Sequence, residues 1–420
     1  MNTLSTAQYD VIVIGGGVSG MMAAGRAGAQ GKHVLIMEKN KHPGEKLKIS
    51  GGGRCNITNA EEDERLFLKH YGKAEQFLYS AFAQFSNKDT FTFFEQLGLP
   101  LVVQARKRVF PHTEKSLDVY RAMERYMKTG NVTVMSDTEV TAIEHTAGAI
   151  TAIIANKVRY MAQSYVLATG GLSHPETGST GDGFKWLKDL GHTVVTPTPT
   201  IVPLAVKESW VKSLSGVSLS FMKITFSVQD KKEKKKKFSK TGKLLFTHFG
   251  LSGPLILNSA GQVADLLQEG AVTATIDAYP DTDHGALEQK IISVFDANKN
   301  KLLKNVFDDI VPHGMIEAVF SLLPSLDKEL KVHSVTKEQR KQLIDLLKAL
   351  PMTITGLMGF DRAVVADGGI PLTEMDMKTM RSKLVSNLFI TGDLLHITRP
   401  SGGFSLQLCW TTGFIAGTNA

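Results

Sequence analysis

The hydrophobic pattern of the chain opens with an apolar run over residues 9–14, which continues without a polar break after Asp10. Such a run is typical of a strand buried on both faces of a parallel sheet. Small residues follow over residues 21–30 with the spacing of a closely packed helix, and a second apolar run over residues 33–37 leads into Glu38. This order predicts a βαβ unit near the N-terminus.

Further elements are predicted by the same patterns along the chain. They are a helix over 77–97, short strands at 132–134, 140–143 and 150–154, and a buried strand at 165–171 that ends in glycine. Residues 41–59 hold too many glycines for a regular helix or strand. We therefore expect a loop there that wraps around a ligand.

The pattern changes at residues 196–203, where three prolines indicate a crossover into a different lobe. Alternation then predicts antiparallel strands over 204–280 and helices over 287–350. A glycine-rich α/β pattern returns afterwards, with a strand over 383–391 and a helix over 406–417. The expected organisation is a nucleotide-binding domain formed by 1–195 and 351–420, an inserted β-rich lobe at 196–285 and an inserted helical lobe at 286–350.

Composition narrows the class of protein. A chain of 420 residues, 42% of them hydrophobic, is long enough for two domains with a large core. Residues 1–10 lack the features of a secretion signal, and no apolar run approaches the roughly 20 residues of a membrane-spanning helix. Cys55 and Cys409 have the spacing of neither a metal site nor a redox pair. We expect a cytoplasmic protein with no membrane or metal partner.

The formal charge of +7 is concentrated in a lysine tract over residues 231–243. Such a block can bind a polyanion by releasing counterions from its phosphates, and this interpretation makes Lys234, Lys235, Lys236 and Lys237 candidate RNA contacts. The alternative is a solvated hairpin tip, because strand-like runs flank the tract on both sides. The sequence leaves both interpretations open, with the hairpin tip the simpler one.

The βαβ unit carries the GxGxxG pattern of a dinucleotide site. Gly15 permits the tight turn, Gly17 lets a pyrophosphate approach the backbone, and Gly20 lets helix and strand pack closely. Phosphates would then meet free amide groups at the helix N-terminus. Glu38 can accept hydrogen bonds from a ribose and repels a 2′-phosphate, so FAD or NAD fits and NADP does not.

A second motif near the C-terminus favours FAD over NAD. Asp393 follows a predicted strand and can bind a ribityl or pyrophosphate-side hydroxyl, whereas an NAD dehydrogenase needs no such motif. Gly402 and Gly403 precede a small-residue helix, whose N-terminus can place a positive dipole end against the N1/O2 edge of a reduced flavin. The alternative is an ordinary strand–turn–helix.

Long strings of residues resemble the BaiN/RdsA (YhiN-like) family of NAD(P)/FAD-dependent oxidoreductases. They are GGGVSG at 15–20, KISGGGRCNITN at 48–59, TGSTGDG at 177–183, LFTHFGLSGP at 245–254 and the C-terminal Gly392–Asp393, in an order that spans nearly the whole chain. The resemblance implies an α/β fold with a Rossmann-type FAD-binding domain of the glutathione-reductase type, an inserted β-barrel-like lobe and a small helical lobe. The chain departs from the family at 401–405, where SGGFS replaces a common Gly-Gly-Tyr-Asn pattern, and this departure bears on the substrate.

The predicted FAD contacts lie in the glycine-rich turns and at the strand ends. They are Gly15, Gly17, Val18, Ser19, Gly20, Glu38, Lys39, Lys46, Gly52, Gly53, Arg54, Cys55, Asn56, Ala168, Thr169, Gly170, Gly171, Gly392, Asp393, Gly402, Gly403 and Phe404. The chain has no second GxGxxG unit and no CxxC pair, unlike pyridine nucleotide-disulfide reductases. NAD(P)H would therefore bind transiently near the flavin, or the electrons would come from the substrate.

Candidate catalytic residues must orient a substrate and move one proton, because the flavin itself performs the hydride chemistry. Cys55 beside Arg54 could be a general acid whose thiol is tuned by the cation, or an inert packed side chain. His248 and His174 could titrate near neutrality, or could be structural. Arg54 and Arg399 could clamp an anionic or carbonyl-bearing substrate, with surface solvation the simpler role for Arg399.

The leading function is a flavin reductase of an activated C=C bond with NAD(P)H as donor. The family resemblance implies a sharper version, in which a uracil base of ribosomal RNA is reduced to dihydrouridine. One alternative is an oxidase or dehydrogenase of a small amine or hydroxyl compound. Another is a non-catalytic, flavin-bearing RNA-binding factor.

Overall fold

The computed structural model describes residues 7–229 and 235–420, and the chain divides into two compact units. The first unit comprises Met1–Pro199 and Ala363–Ala420, and the second comprises Thr200–Arg362. The finer bounds expected from the sequence, which separate a β-rich from a helical lobe at residue 286, stay a prediction. Among the described residues, no helix is both long and apolar enough to cross a membrane.

The strands, in chain order, are β1 (Ala7–Ile14), β2 (Val34–Met37), β3 (Thr58–Asn59), β4 (Leu101–Gln104), β5 (Arg108–Pro111), β6 (Val132–Met135), β7 (Val140–Thr146), β8 (Ala149–Ala155), β9 (Val158–Leu167), β10 (Val195–Thr200), β11 (Leu204–Val206), β12 (Ser218–Gln229), β13 (Lys235–Thr247), β14 (Gly250–Ser252), β15 (Val272–Asp277), β16 (Leu350–Leu357), β17 (Val365–Gly369), β18 (Met375–Asp376), β19 (Arg381–Ser382) and β20 (Leu388–Ile390).

The α-helices are α1 (Val18–Ala29), α2 (Glu45–Ile49), α3 (Glu64–Lys69), α4 (Glu75–Phe82), α5 (Asn87–Gln96), α6 (Ser116–Thr129), α7 (Asp182–Asp189), α8 (Ser209–Ser213), α9 (Pro254–Leu257), α10 (Ala260–Glu269), α11 (His284–Ala297), α12 (Ile316–Leu322), α13 (Lys337–Lys348) and α14 (Phe404–Asn419). Short 3-10 turns connect several of them, including one at Ser50–Gly53.

The first unit is built on a mixed sheet with the strand order β18-β19-β20-β9-β1-β2-β6. At its centre β1 runs parallel to both β2 and β9, and β20 runs parallel to β9. Val11, Ile12 and Val13 are completely buried, as expected for a central strand covered on both faces. The predicted βαβ unit and Rossmann-type fold class are therefore confirmed.

Helices α1 and α14 pack against each other with unusually little space between their backbones. A Cβ on Gly413 would lie 2.5 Å from the Ser19 carbonyl oxygen, and one on Gly417 would lie 2.3 Å from that of Ala23. A larger residue at either glycine would push the helices apart, since real Cβ atoms essentially never approach this closely. The C-terminal helix is thus fixed directly onto the helix of the βαβ unit.

The second unit contains a closed antiparallel barrel with the order β11-β14-β13-β12-β15-β16. Alternate residues of β12, among them Ile224, Phe226 and Val228, are buried, while the residues between them are more exposed. This period-two pattern is the alternation predicted from the sequence. Helices α10 and α13 pack against barrel strands.

Several predicted elements differ in the structure. The single helix expected over 77–97 is two helices, α4 and α5, because Ser86 and Asp89 form a capping box that starts a new helix. The crossover expected at 196–203 includes strand β10, which pairs with β17. The strand expected over 383–391 is shortened to β20, and the loop expected over 41–59 contains helix α2.

Candidate functional site

The turn between β1 and α1 forms a cradle in which Gly15 and Gly20 have no room for a Cβ. Gly15 has a φ of +101°, and a Cβ there would lie 2.6 Å from the Ala168 carbonyl oxygen. A Cβ on Gly20 would lie 1.9 Å from the Gly15 oxygen, whereas Gly17 has nothing closer than 3.9 Å. The N-cap residue of α1, Gly17, provides no side-chain hydrogen bond to the helix. The turn therefore combines open space at Gly17 with the positive end of a helix dipole.

Glu38 follows β2 and reaches back to this turn. Its carboxylate accepts hydrogen bonds from the Gly16 amide at 2.7 Å and from the Asn40 amide at 2.8 Å. The side chain is buried, and burial raises its pKa, while the Asn40 and Gly16 amides act in the opposite direction. An acid is thus held beside the glycine turn, as the fingerprint predicts.

The C-terminal segment meets the first turn of α1. The Thr391 hydroxyl lies 3.1 Å from the Ser19 hydroxyl, and the Gly392 amide donates to the Thr412 hydroxyl at 3.1 Å. Gly392 has a φ of +63°, and a Cβ there would lie 2.9 Å from the Ser19 hydroxyl. Two motifs at opposite ends of the chain therefore share one place in the fold.

Asp393 and Arg399 form a buried ion pair. Arg399 also donates to the Ile397 carbonyl at 2.7 Å and to the Ser405 hydroxyl at 3.2 Å, and its side chain is 1% exposed. Burial opposes the charge on Arg399, but the Asp393 carboxylate and the weaker effects of other neighbouring groups together outweigh it, and the net effect raises the pKa of Arg399. The solvated surface position that the sequence favoured for Arg399 is therefore wrong.

The loop after β9 brings polar groups into the interior. The Thr169 hydroxyl is buried and has no hydrogen-bond partner among the residues that the structure describes. Nearby, the Lys46 ammonium donates to the Ser173 carbonyl at 2.6 Å and to the Ser179 hydroxyl at 2.8 Å. Burial lowers the pKa of Lys46. An unpaired buried hydroxyl is costly and points to a missing ligand or water.

Lys39 lies beside the same loop, paired with Asp182 at 2.8 Å. Gly170 and Gly171 take the chain from Thr169 toward the C-terminal motif: Gly170 has a φ of +73°, and a Cβ on Gly171 would lie 3.3 Å from the Asp393 carbonyl oxygen. The residues predicted around 168–171 therefore lie between the two motifs.

The SGGGRCN loop adopts left-handed backbone conformations at Gly51, Gly52, Gly53 and Cys55, with φ values of 58°, 68°, 85° and 59°. The Cys55 side chain is fully buried, and burial raises its pKa to about 12. The Arg54 guanidinium lies instead 4.6 Å from the centre of the Phe110 ring. Tuning of the thiol by Arg54 is therefore not observed, and the environment of Cys55 is that of a packed interior residue.

The N-terminus of α14 lies against strand β3. Gly403 has a φ of +101°, and a Cβ there would lie 2.2 Å from the Thr58 carbonyl oxygen. The Asn59 side chain donates to the Gly402 carbonyl at 3.1 Å, and the N-cap residue Gly403 provides no side-chain hydrogen bond to the helix. Phe404 packs against the ring of Phe67 with 5.0 Å between ring centres. A second uncapped helix end thus joins the first in the same unit.

These features fit FAD. Two uncapped helix N-termini suit the pyrophosphate and the electron-rich edge of a flavin, and the glycines at 15 and 403 lie where a Cβ would collide with neighbouring backbone. The unpaired Thr169 hydroxyl supplies a polar contact for a bound group. All the predicted FAD contacts belong to the first unit.

A family model described as the HI0933-like protein Rossmann domain matches residues 9–419. The chain belongs to this HI0933-like family. The match covers almost the whole sequence, so both segments of the first unit and the inserted second unit belong to the same family architecture.

Two relatives of this HI0933-like chain are a reductase and a dihydrouridine synthase by name. It is 27% identical over 411 residues to a 3-dehydro-bile acid delta(4,6)-reductase of Clostridium scindens, covering 97% of this chain and 98% of the relative. It is 28% identical over 407 residues to a ribosomal RNA dihydrouridine synthase of Escherichia coli, covering 97% and 96%. The resemblance seen in the sequence is thereby confirmed.

Solved structures show the same fold. A 3-ketosteroid-delta4-(5alpha)-dehydrogenase of Rhodococcus jostii RHA1 superposes with a TM-score of 0.52 at 14% identity, covering 98% of this chain and 96% of that chain. A flavocytochrome c3 fumarate reductase reaches a TM-score of 0.50 at 16% identity, covering 98% and 78%. With the family match and the site geometry, the HI0933-like chain is an FAD-dependent oxidoreductase.

Other predicted site residues lie in the second unit. His248 follows β13 and packs edge-on against Phe249, with 4.9 Å between ring centres. Lys235, Lys236 and Lys237 are exposed in β13 itself, whereas residues 231–234 of the tract lie outside the described residues. The catalytic role of His248 stays a prediction.

Reasoning from the sequence missed polar residues that surround the predicted contacts. Ser173 and Ser179 hold Lys46, and Asn59 joins β3 to Gly402. It also missed Arg106 and Arg108, although three consecutive cations at 106–108 were a visible signal. The positions of Arg106 and Arg108 are set by strands β4 and β5, which the sequence pattern did not predict.

Proposed function

We propose that the HI0933-like chain reduces a C=C bond conjugated to a carbonyl group, with NAD(P)H as the electron donor. The observation that carries the proposal is the flavin cradle, in which Gly392 and Ser19 bring the C-terminal motif to the first turn of α1. One relative is named as a bile acid delta(4,6)-reductase and the other as a dihydrouridine synthase of ribosomal RNA, and both names fit saturation of a C=C bond.

A bound FAD would supply the hydride transfer between donor and substrate, and the turn at Gly15 and Gly17, Glu38 and the N-terminus of α14 would hold it. This chain's residues must bind, orient and supply a proton. Cys55 is a poor proton donor, because burial raises the pKa of its thiol to about 12. His248, which lies in the LFTHFGLSGP string, stays our proposed candidate for this role.

Among possible substrates we propose a uracil base of ribosomal RNA. Support comes from the way strand geometry divides the lysine tract. The Lys236 ammonium forms an ion pair with Glu269 at 2.7 Å. Lys235 and Lys237 lie on the other face of β13, where they pair with Gln229 and Ser227 of β12. Exposed lysines on an open strand face suit the phosphates of an RNA backbone.

The decisive experiment for the reaction class is anaerobic flavin reduction. NADH or NADPH should bleach the bound flavin, and the reduced flavin should be reoxidised by a substrate with a conjugated C=C bond. Bleaching by a small amine with peroxide release would instead establish an oxidase. Bleaching by none of these donors would favour a flavin-bearing RNA-binding factor.

The substrate is tested by mass spectrometry of ribosomal RNA from a strain that lacks the gene. Loss of one dihydrouridine, restored by the wild-type gene, supports the RNA substrate. The dihydrouridine content of the RNA could instead stay unchanged while a steroid dienone reoxidises the reduced flavin. That result would favour a small enone as the substrate, as in the bile-acid relative.

The role of the lysine face is tested by the double variant K235Q/K237Q. RNA binding should weaken, and the slope of log affinity against log salt should fall by about 2, one for each lost phosphate contact. The matched control is K337Q/K341Q, which removes the same charge from α13 in the same unit. Equal effects in both variants would mean that the lysine tract contributes only non-specific electrostatic attraction to RNA.

A further inference from the structure

The inference concerns an arginine cluster formed by Arg54, Arg106 and Arg108 in the first unit. Strands β3, β5 and β4 form a small antiparallel sheet, and Arg106 and Lys107 make the turn between β4 and β5. Arg108 begins β5 and Arg54 precedes β3, so the sheet brings together cations from two separate chain segments.

The cluster adjoins the residues that surround the flavin cradle. Asn59 pairs with Arg108 in the β3–β5 ladder, and its side-chain amide donates both to the Arg106 carbonyl at 3.3 Å and to the Gly402 carbonyl at 3.1 Å. The guanidinium of Arg54 lies on Phe110, two residues along β5 from Arg108. The cluster therefore lies next to the turn that starts α14.

The charges in this cluster are incompletely balanced. Arg54 contacts Glu114 at 3.5 Å and Lys107 contacts Glu61 at 2.7 Å. Within the part of the chain that the structure describes, no carboxylate forms an ion pair with Arg106 or Arg108. Burial lowers the pKa of the half-buried Arg108, and the charges of Arg106 and Arg54 lower it further.

The backbone at the cluster is also strained. Arg106 and Lys107 have φ values of 61° and 57°, a left-handed conformation that side chains with a Cβ rarely adopt. Such conformations cost about 1–3 kcal/mol per residue and persist where the surrounding structure enforces them. Here Asn59 holds the strained turn through the Arg106 carbonyl.

We propose that Arg54, Arg106 and Arg108 form an anion site that binds a phosphate group of a ligand used at the flavin. Planar guanidiniums donate paired hydrogen bonds to phosphate oxygens, and several of them suit the charge of a phosphate better than that of a single carboxylate. The phosphate belongs either to the dinucleotide electron donor or to an RNA backbone. Both sources present the same chemistry to the arginines.

The test measures binding of inorganic pyrophosphate to the FAD-saturated protein by calorimetry, without turnover. Arg108→Gln should weaken binding by about tenfold, as expected for a lost charge-assisted hydrogen bond. Arg65→Gln, which removes an exposed cation from α3, should leave the affinity unchanged. Absence of pyrophosphate binding in the parent protein, or equal affinity in Arg108→Gln, overturns the proposal.

Bound FAD is quantified in every variant, so that loss of the cofactor is separated from loss of the anion site. If Arg108→Gln does not fold with FAD, Arg106→Gln replaces it, because the Arg106 side chain is exposed and its turn is held by backbone contacts. The same pyrophosphate criterion then applies. This result is independent of the reductase proposal, since no reaction is followed.

Two further measurements identify the source of the phosphate. If it belongs to the donor, Arg108→Gln raises the apparent Kd of NADH or NADPH in stopped-flow flavin reduction and leaves the saturating rate unchanged. If it belongs to RNA, donor affinity is unchanged and the salt slope of RNA binding falls by about 1. A variant that alters neither would show that the cluster serves no ligand at the flavin.

Discussion

The buried pair of Asp393 and Arg399 makes the sharpest prediction about stability. The change Arg399→Met keeps most of the apolar stem but removes the cation, and this leaves the Asp393 carboxylate without its charge partner. Because the Arg399 side chain is 1% exposed and that of Asp393 is 16% exposed, water can replace the lost contact only poorly.

The expected loss is large. Removing one partner of a buried ion pair costs about 3–5 kcal/mol, mainly because the remaining charge stays buried, which shifts the unfolding equilibrium by a factor of about 10² to 10⁴. The double variant D393N/R399M removes both charges. Its cost should fall below the sum of the single variants by about 0.5–3 kcal/mol, the range typical of residues in one network.

The assay is urea unfolding of the protein, followed by circular dichroism, with and without added FAD. A matched control is Lys128→Met, which breaks the exposed pair of Lys128 and Glu124 on α6 and should cost about 1 kcal/mol or less. The reasoning fails if Arg399→Met costs as little as this control. It also fails if the two single changes at 393 and 399 are additive.

Three further results are expected. Gly20→Ala should lose bound FAD, because its Cβ would lie 1.9 Å from the Gly15 oxygen, whereas Gly261→Ala in open space should bind FAD normally; flavin absorbance measures both. Cys55 and Cys409 should resist alkylation by iodoacetamide at pH 8 until urea unfolds the protein, because burial raises the pKa of each thiol to about 12. Labelling is followed by mass spectrometry, and rapid labelling of the folded protein would contradict this expectation. Burial raises the pKa of Glu374, but hydrogen bonds from Thr193 and His192 outweigh this effect and lower the pKa below 4.5, so the ionised carboxylate stabilises the fold above that pH. The difference in unfolding free energy between the parent and Glu374→Gln should therefore shrink as the pH falls below 4.5. A difference that does not change with pH would contradict this reasoning.

The N-terminal half of the cradle could be predicted from the sequence because its determinants are local. Gly15, Gly20 and Glu38 act within one βαβ unit, and strand, turn and helix patterns fix their positions relative to one another. The break between α4 and α5 could also be predicted from the sequence, since Ser86 and Asp89 have the spacing of a capping box. The apolar periodicity of 77–97 concealed that signal.

The burial of Arg399 could not be predicted in the same way. Its environment depends on Asp393 and on the packing of α14, which residue types alone do not specify. The arginine cluster has the same origin, because Arg54 and Arg108 meet only through the pairing of β3 with β5. Long-range contacts therefore decide which cations are solvated and which are available to a ligand.

The position of α14 links the two ends of the flavin cradle. Gly403 starts the helix against Thr58, and Gly413 and Gly417 press it onto the backbone of α1. Since each of these contacts is too close for a Cβ, the helix cannot shift at one end without disturbing the other. The N-terminal βαβ unit and the C-terminal turn should therefore gain or lose their binding geometry together, although the second unit separates them in the sequence.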